Sequence, residues 1–258
     1  MASGKLGIVG GMGPLASAEL VGTIYRLNLP AREQEAPALI LDSDPSFPDR
    51  TEAILAGRTE VLGPPLERAI RGLLDQGAQR IVIACMTVHA GLAQVPEALR
   101  RRVVSLVDLV VEEVLARPMP RLLLGTTGTR AARLFEQHPR WAEAAPWLLH
   151  LDEPDQAGLH ERIYRIKRGE PPESSLVWLE SLAAKYGARG LVFACTELHL
   201  LQRHLEGRSD GPWAPGHTID PLTTVARDLP RLISTFADPE RRGPAAGAGG
   251  GRRRGVRG

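Results

Sequence analysis

The chain is poor in cysteine and in lysine. Its 258 residues include two cysteines, Cys85 and Cys195, and of 32 basic residues only Lys5, Lys167 and Lys185 are lysines, the remaining 29 being arginine. No Cys-x-x-Cys pair occurs, so the closely spaced ligands of a structural zinc site are missing. No apolar run reaches the ~18 residues that a membrane-spanning helix needs. The opening Met1-Ala-Ser-Gly-Lys-Leu-Gly-Ile-Val-Gly10 has too short an apolar stretch for a signal peptide and leads straight into a structural motif. A cytoplasmic setting is expected, where thiols stay reduced and a disulfide between the two cysteines is disfavoured. RRM, KH and helix-turn-helix signatures are missing too, so neither nucleic acid nor membrane is an expected partner.

The formal net charge of +2 hides an asymmetry. Residues 238–258 carry Arg241, Arg242, Arg252, Arg253, Arg254 and Arg257 against Asp238 and Glu240, a net of +4, which leaves residues 1–237 near −2. The basic character belongs to a Gly/Ala/Arg tail that cannot bury a core and is expected to be disordered. The rest, with apolar residues at 43% of the chain, is long enough for one large or two small domains.

Strands are expected at 5–9, 38–41, 80–84, 103–106, 121–125, near 147–151, at 190–194 and at 217–220. Helices are expected at 14–27, about 60–76 (stopping near Gly77), up to about 116, after the turn at 125–129, at roughly 155–168 and 173–186, and over 221–236. The segment Asp42–Thr51 reads as a loop, and a helical region follows Cys85. Alternation of strands and helices implies α/β architecture: two similar, doubly wound parallel-sheet domains related by pseudo-symmetry, with the active site in the cleft between them. The expected division is 1–106 plus 218–237 for one domain, 107–217 for the second and 238–258 for the tail.

The two domains are argued from a repeat. Ile81-Val-Ile-Ala-Cys-Met-Thr-Val-His89 and Leu191-Val-Phe-Ala-Cys-Thr-Glu-Leu-His199 match at an offset of 110 residues. At that offset Gly77 meets Gly187, Ala78 meets Ala188, Val82 meets Val192, Ala84 meets Ala194 and His89 meets His199. Each half also opens with a strand that runs into a Gly-rich turn, Gly10-Gly-Met-Gly13 and Gly125-Thr-Thr-Gly128. Open parallel sheets bind ligands outside the carboxyl ends of their strands, where both cysteines and both turns fall.

A cysteine at a strand end is often only a small buried hydrophobe. Two in matched settings suggest chemistry. A thiol just ahead of a helix N-terminus feels unpaired N–H groups and the positive end of the helix dipole, which favours the thiolate. A thiolate on one face of a stereogenic carbon and a thiol on the other would make a racemase by general acid–base catalysis. The histidine four residues after each cysteine is expected on the following helix, packing. Thr87, Thr126, Thr127, Thr129 and Thr196 lie at the turns. There they serve either to receive a substrate carboxylate or to cap helices. Lys167, flanked by Arg165 and Arg168 in a chain that prefers arginine, suits a compact point charge, against the bland alternative of a solvated helix face. Arg50 has a similar alternative.

The combination of motifs resembles the aspartate/glutamate racemase superfamily, in particular its aspartate branch. Gly7-Ile-Val-Gly-Gly-Met-Gly-Pro-Leu-Ala16 is similar to the family's opening and Pro48-Asp-Arg-Thr51 to its substrate-binding loop. Cys85-Met-Thr-Val-His89 and Cys195-Thr-Glu-Leu198 are similar to its two catalytic motifs, with Glu197 where glutamate racemases have His. The resemblance implies a cofactor-independent two-base racemase, often a homodimer, interconverting L- and D-aspartate. Cys85 and Cys195 would be the bases. Arg50 and Lys167 would hold the side-chain carboxylate, with Met12, Gly13, Met86, Thr87, Thr126, Thr127 and Thr196 completing the substrate site. Met86 departs from the usual Asn and cannot donate a hydrogen bond. His199 stands where Pro is common.

Three rival readings remain open. Gly11-x-Gly13-x-x-Ala16 after a strand also fits a dinucleotide fingerprint, with Asp42 toward a ribose. The same fold also serves isomerases and decarboxylases of other small acids. A non-catalytic amino-acid binding protein is the third.

Overall fold

The computed structural model describes residues 4–205 and 208–234. The first half runs β1 (Lys5–Gly10), α1 (Pro14–Leu27), β2 (Ala38–Ser43), α2 (Arg50–Leu55), α3 (Gly63–Asp75), β3 (Ala78–Ile83), α4 (Glu97–Arg100), β4 (Val103–Val104) and α5 (Leu106–Ala116). The second runs β5 (Arg121–Gly125), α6 (Thr127–Ala131), α7 (Trp141–Ala144), β6 (Leu148–Leu149), α8 (Glu153–Lys167), α9 (Leu176–Lys185) and β7 (Gly190–Ala194). Helices α10 (Pro221–Arg227) and α11 (Leu229–Ser234) close the described chain. None of the helices is long and apolar enough to cross a membrane, among the described residues. The basic tail read at 238–258 lies outside them.

Both sheets are parallel, in the order β2-β1-β3-β4 and β6-β5-β7. Strands β1, β5 and β7 are buried almost throughout, which is why they read as unbroken apolar runs. The repeat is visible in the pairing. Val82 of β3 pairs with Val104, and its counterpart Val192 of β7 forms a parallel bridge with Ile219. The strand expected over 217–220 is reduced to that bridge. One apolar cluster runs through both halves, taking in Leu6, Ile8 and Val82 of the first sheet, Leu123 and Val192 of the second, and Val110, Val114 and Leu222 from the helices.

Local chemistry sets the element ends. Pro14 starts α1 with its φ already suited to a helix. Gly77, at φ +90°, ends the turn after α3. Ser105, Thr126 and Asp152 cap α5, α6 and α8 by accepting from the N–H three residues on. Asp49 does the same for α2, so Arg50 is the first residue of a short helix and not part of a loop. The helical regions after the cysteines are 3₁₀, Thr87–Gln94 and Thr196–His204.

Gly11 is the tightest point of the first Gly-rich turn. Its φ is +87°, and a Cβ there would lie 2.2 Å from the Asp44 carbonyl oxygen. Gly11→Ala should cost about 2 kcal/mol and lower Tm by roughly 4–8 °C. Calorimetry checks this; a melting temperature within about 1 °C of the parent would contradict the strain.

Candidate active site

Both cysteines are free thiols at the carboxyl ends of equivalent strands, 5% exposed at Cys85 and 3% at Cys195. Their surroundings differ. The Cys195 thiol donates to Oε2 of Glu197 at 2.9 Å. Burial, reinforced by the Glu197 charge, pushes the Cys195 pKa well above the ordinary value, although Lys167 pulls the other way. The sequence reading had the turn stabilising the thiolate. At Cys195 the reverse holds, because burial and the adjacent Glu197 charge outweigh the backbone N–H of the turn.

Two cations stand in the same cleft. Arg50 is 8% exposed, and its terminal nitrogens donate to the carbonyls of Pro48 at 3.0 Å and Met12 at 2.9 Å. Its Nε has no hydrogen-bond partner among the described residues. Burial lowers the Arg50 pKa, but the negative potential of Cys85, Asp49 and Glu197 outweighs it, and the net shift is upward. Lys167, at the end of α8, has only 18% of its side chain exposed, which excludes the solvated-face reading. Its ammonium lies 3.8 Å from Oε1 of Glu197 and 4.5 Å from the Tyr164 ring centroid. Burial opposes its charge, yet Glu197, Cys195 and Cys85 raise its pKa overall.

The threonines join the halves. The Thr87 hydroxyl lies 2.9 Å from both Thr126 and Thr129, which are 3.1 Å from each other. Thr196 donates to the Ala84 carbonyl at 3.1 Å, across to the other cysteine's strand. Thr126 also caps α6, and the Thr127 N–H meets His160 Nδ1 at 3.4 Å. Tyr164 donates to Asp49 at 2.8 Å, tying α8 to the cap of α2. Met12 contributes a carbonyl to Arg50. Met86 is buried in the apolar cluster shared by the two halves and offers no donor.

The two matched histidines hold the turns by different means. Nε2 of His89 accepts from the Leu106 N–H at 3.4 Å, so the proton sits on Nδ1, which donates to the Cys85 carbonyl at 2.9 Å. Burial lowers the His89 pKa and keeps it neutral. His199 bridges Asp220 at 2.5 Å and Thr23 at 3.0 Å, linking the Cys195 turn to α10 and α1.

The dinucleotide reading fits this turn poorly. A Cβ added at Gly13 would lie 2.8 Å from Oε1 of Glu197. A carboxylate therefore stands where a pyrophosphate would approach α1. Sequence reasoning treated Glu197 only as a family marker and passed over Tyr164 and Asp49. A carboxylate two residues after a thiol, in a buried turn, was the available signal for Glu197. Tyr164 precedes Lys167 by one helical turn, on the same face.

The sequence model of the Asp/Glu/Hydantoin racemase family matches residues 9–229. Among solved structures, the Picrophilus torridus aspartate racemase superposes with a TM-score of 0.72 at 20% identity, over 90% of this chain and 94% of that one. An aspartate racemase homologue from Pyrococcus horikoshii gives 0.64 at 24% identity, over 89% and 99%. The glutamate racemase of Francisella tularensis, solved with D-glutamate, gives 0.59 at 16% identity, over 91% and 82%.

With Cys85→Ser leaving Cys195 as the sole thiol, alkylation by iodoacetamide should show its pH inflection above the ~8.5 of a free cysteine. An inflection at or below that value would contradict the Glu197 environment described for Cys195.

Proposed function

The chain belongs to the Asp/Glu/hydantoin racemase family, and we propose that it interconverts L- and D-aspartate without a cofactor, using Cys85 and Cys195 as its two bases. The observation that carries this reading is the pair of buried thiols at equivalent strand ends, both felt by one buried ammonium, Lys167.

The step is a proton transfer across a carbon. The thiolate of one cysteine takes the Cα proton. The electron pair of the C–H bond spreads into the α-carboxylate, whose charge rises. The other cysteine, as thiol, gives its proton to the opposite face of Cα and becomes the thiolate. Configuration is inverted, and the two sulfurs have exchanged protonation states; the reverse reaction, or exchange with water, resets them. Cys195 enters as the thiol, because Glu197 and burial hold its proton. Cys85 is then the abstracting base for the first turnover.

Arg50 and Lys167 take the side-chain carboxylate. Thr87, Thr126, Thr127, Thr196 and the Met12–Gly13 backbone take the α-carboxylate. Prearranged donors there stabilise the charge that builds up as the proton leaves. Met86 lends apolar bulk in place of an amide, so the α-carboxylate rests on the threonine turns.

Cys85→Ala and Cys195→Ala should each cut racemisation of L-aspartate, followed by chiral chromatography, at least about a hundredfold. Full activity in either variant would defeat the two-base proposal. Lys167→Ala should raise KM for aspartate roughly tenfold or more and also lower Tm by about a few degrees, because the buried Glu197 loses its counter-charge. An unchanged KM would remove Lys167 from the substrate site.

A further inference from the structure

A cleft that binds a diacid needs cations, and Arg50 and Lys167 supply them. It is less obvious why a carboxylate is buried beside them. Glu197 is 3% exposed, and its two oxygens are used unequally. Oε2 accepts the Cys195 thiol at 2.9 Å. Oε1 has no hydrogen-bond partner among the described residues, and the Lys167 ammonium at 3.8 Å is beyond hydrogen-bond distance. A buried carboxylate oxygen left in this state is costly, and in native proteins it calls for an explanation. Gly13 stands against it: a Cβ there would come within 2.8 Å of Oε1, so the glycine leaves that side of the oxygen free of a side chain.

Two buried polar atoms without a hydrogen-bond partner among the described residues therefore belong to this site. Nε of Arg50 is a donor from a cation, and Oε1 of Glu197 is an acceptor from an anion. Together they suit a ligand that carries both a carboxylate and an ammonium. We infer that Glu197 is the receptor for the substrate's α-ammonium, with Oε1 taking the ammonium while Oε2 holds the Cys195 thiol. This rests on the racemase reading above and deepens it. One carboxylate then sets the nitrogen and the sulfur side by side, which brings Cα, bonded to that nitrogen, next to the thiol that must reach it. The nearby negative charge also favours the charged form of the amine. With no cofactor to withdraw electrons, that positive charge on nitrogen is what acidifies the Cα–H bond. Glu197 thereby makes the site selective for amino acids over diacids of the same length that lack the amine.

The test compares DL-aspartate, already at racemic equilibrium, with succinate, which keeps both carboxylates and lacks the amine. Calorimetric titration of the wild type should show aspartate binding tighter by about tenfold or more, the scale of one charge-assisted hydrogen bond. Glu197→Gln preserves shape and should weaken aspartate by a similar factor, leaving succinate within about twofold or tighter. Equal weakening of both ligands, or an unchanged affinity for aspartate, overturns the assignment. So does a wild type that binds succinate as tightly as aspartate, a result that does not depend on the variant folding. If the wild type racemises aspartate yet fails this comparison, only the role of Glu197 falls. If it neither racemises nor binds aspartate, the racemase reading falls and takes this inference with it.

Discussion

Removing a carboxylate and two cations from water within one cleft is the constraint on which the rest of this structure depends. Glu197, Arg50 and Lys167 are all largely buried. Each would cost several kcal/mol if isolated in the interior. Their mutual attraction offsets that cost: Lys167 and Glu197, 3.8 Å apart, attract by on the order of 4 kcal/mol at an effective dielectric of about 20. The arrangement holds only while the halves remain together, since Arg50 comes from the first and Lys167 and Glu197 from the second. Hydrogen bonds from Tyr164 to Asp49, from Thr196 to Ala84 and among the threonines lock that apposition. Beneath them the shared apolar cluster supplies the bulk of the cohesion.

Repetition of one βα plan places the chemistry, and divergence between the copies differentiates it. Cys85 and Cys195 occupy equivalent strand ends, so the fold offers two thiols in like positions. The residues that follow break the likeness. Met86 and Thr87 follow one cysteine and Thr196 and Glu197 the other, so only Cys195 has a carboxylate to hold its proton. The histidines diverge in the same way. His89 pins its turn to the start of α5, whereas His199 reaches across to Asp220 and Thr23. A symmetric frame thus gives its two thiols unlike neighbours, Glu197 standing beside Cys195 alone of the two.

The alternation of strands and helices, the parallel sheets and the matched cysteines were legible in the sequence, because buried central strands leave continuous apolar runs and glycines mark the turns. Lys167 stood out through its rarity among arginines. Less was legible where a tertiary partner decides the outcome. The helix starting at Arg50 depends on the Asp49 cap, and the strand near 219 shrinks to one bridge, Ile219 with Val192 of β7. The raised pKa of Cys195 is not legible from the helix-dipole argument, which leaves out the thiol's complete burial and the carboxylate two residues on. Whether Thr87 and Thr126 cap helices or face a ligand depends on contacts between halves some 39 residues apart in sequence, which no local pattern encodes.

The central claim is that protons leave and arrive on opposite faces of Cα through different sulfurs. The most direct measurement starts from unlabelled L-aspartate in D₂O and stops early, well before equilibrium. The two enantiomers are separated and the α-deuterium of each is read by mass spectrometry. Two bases predict deuterium at Cα in the D-aspartate formed and protium in the L-aspartate recovered. Deuterium appearing in both enantiomers at the same early rate, or product that keeps the original protium, would contradict the two-thiol account.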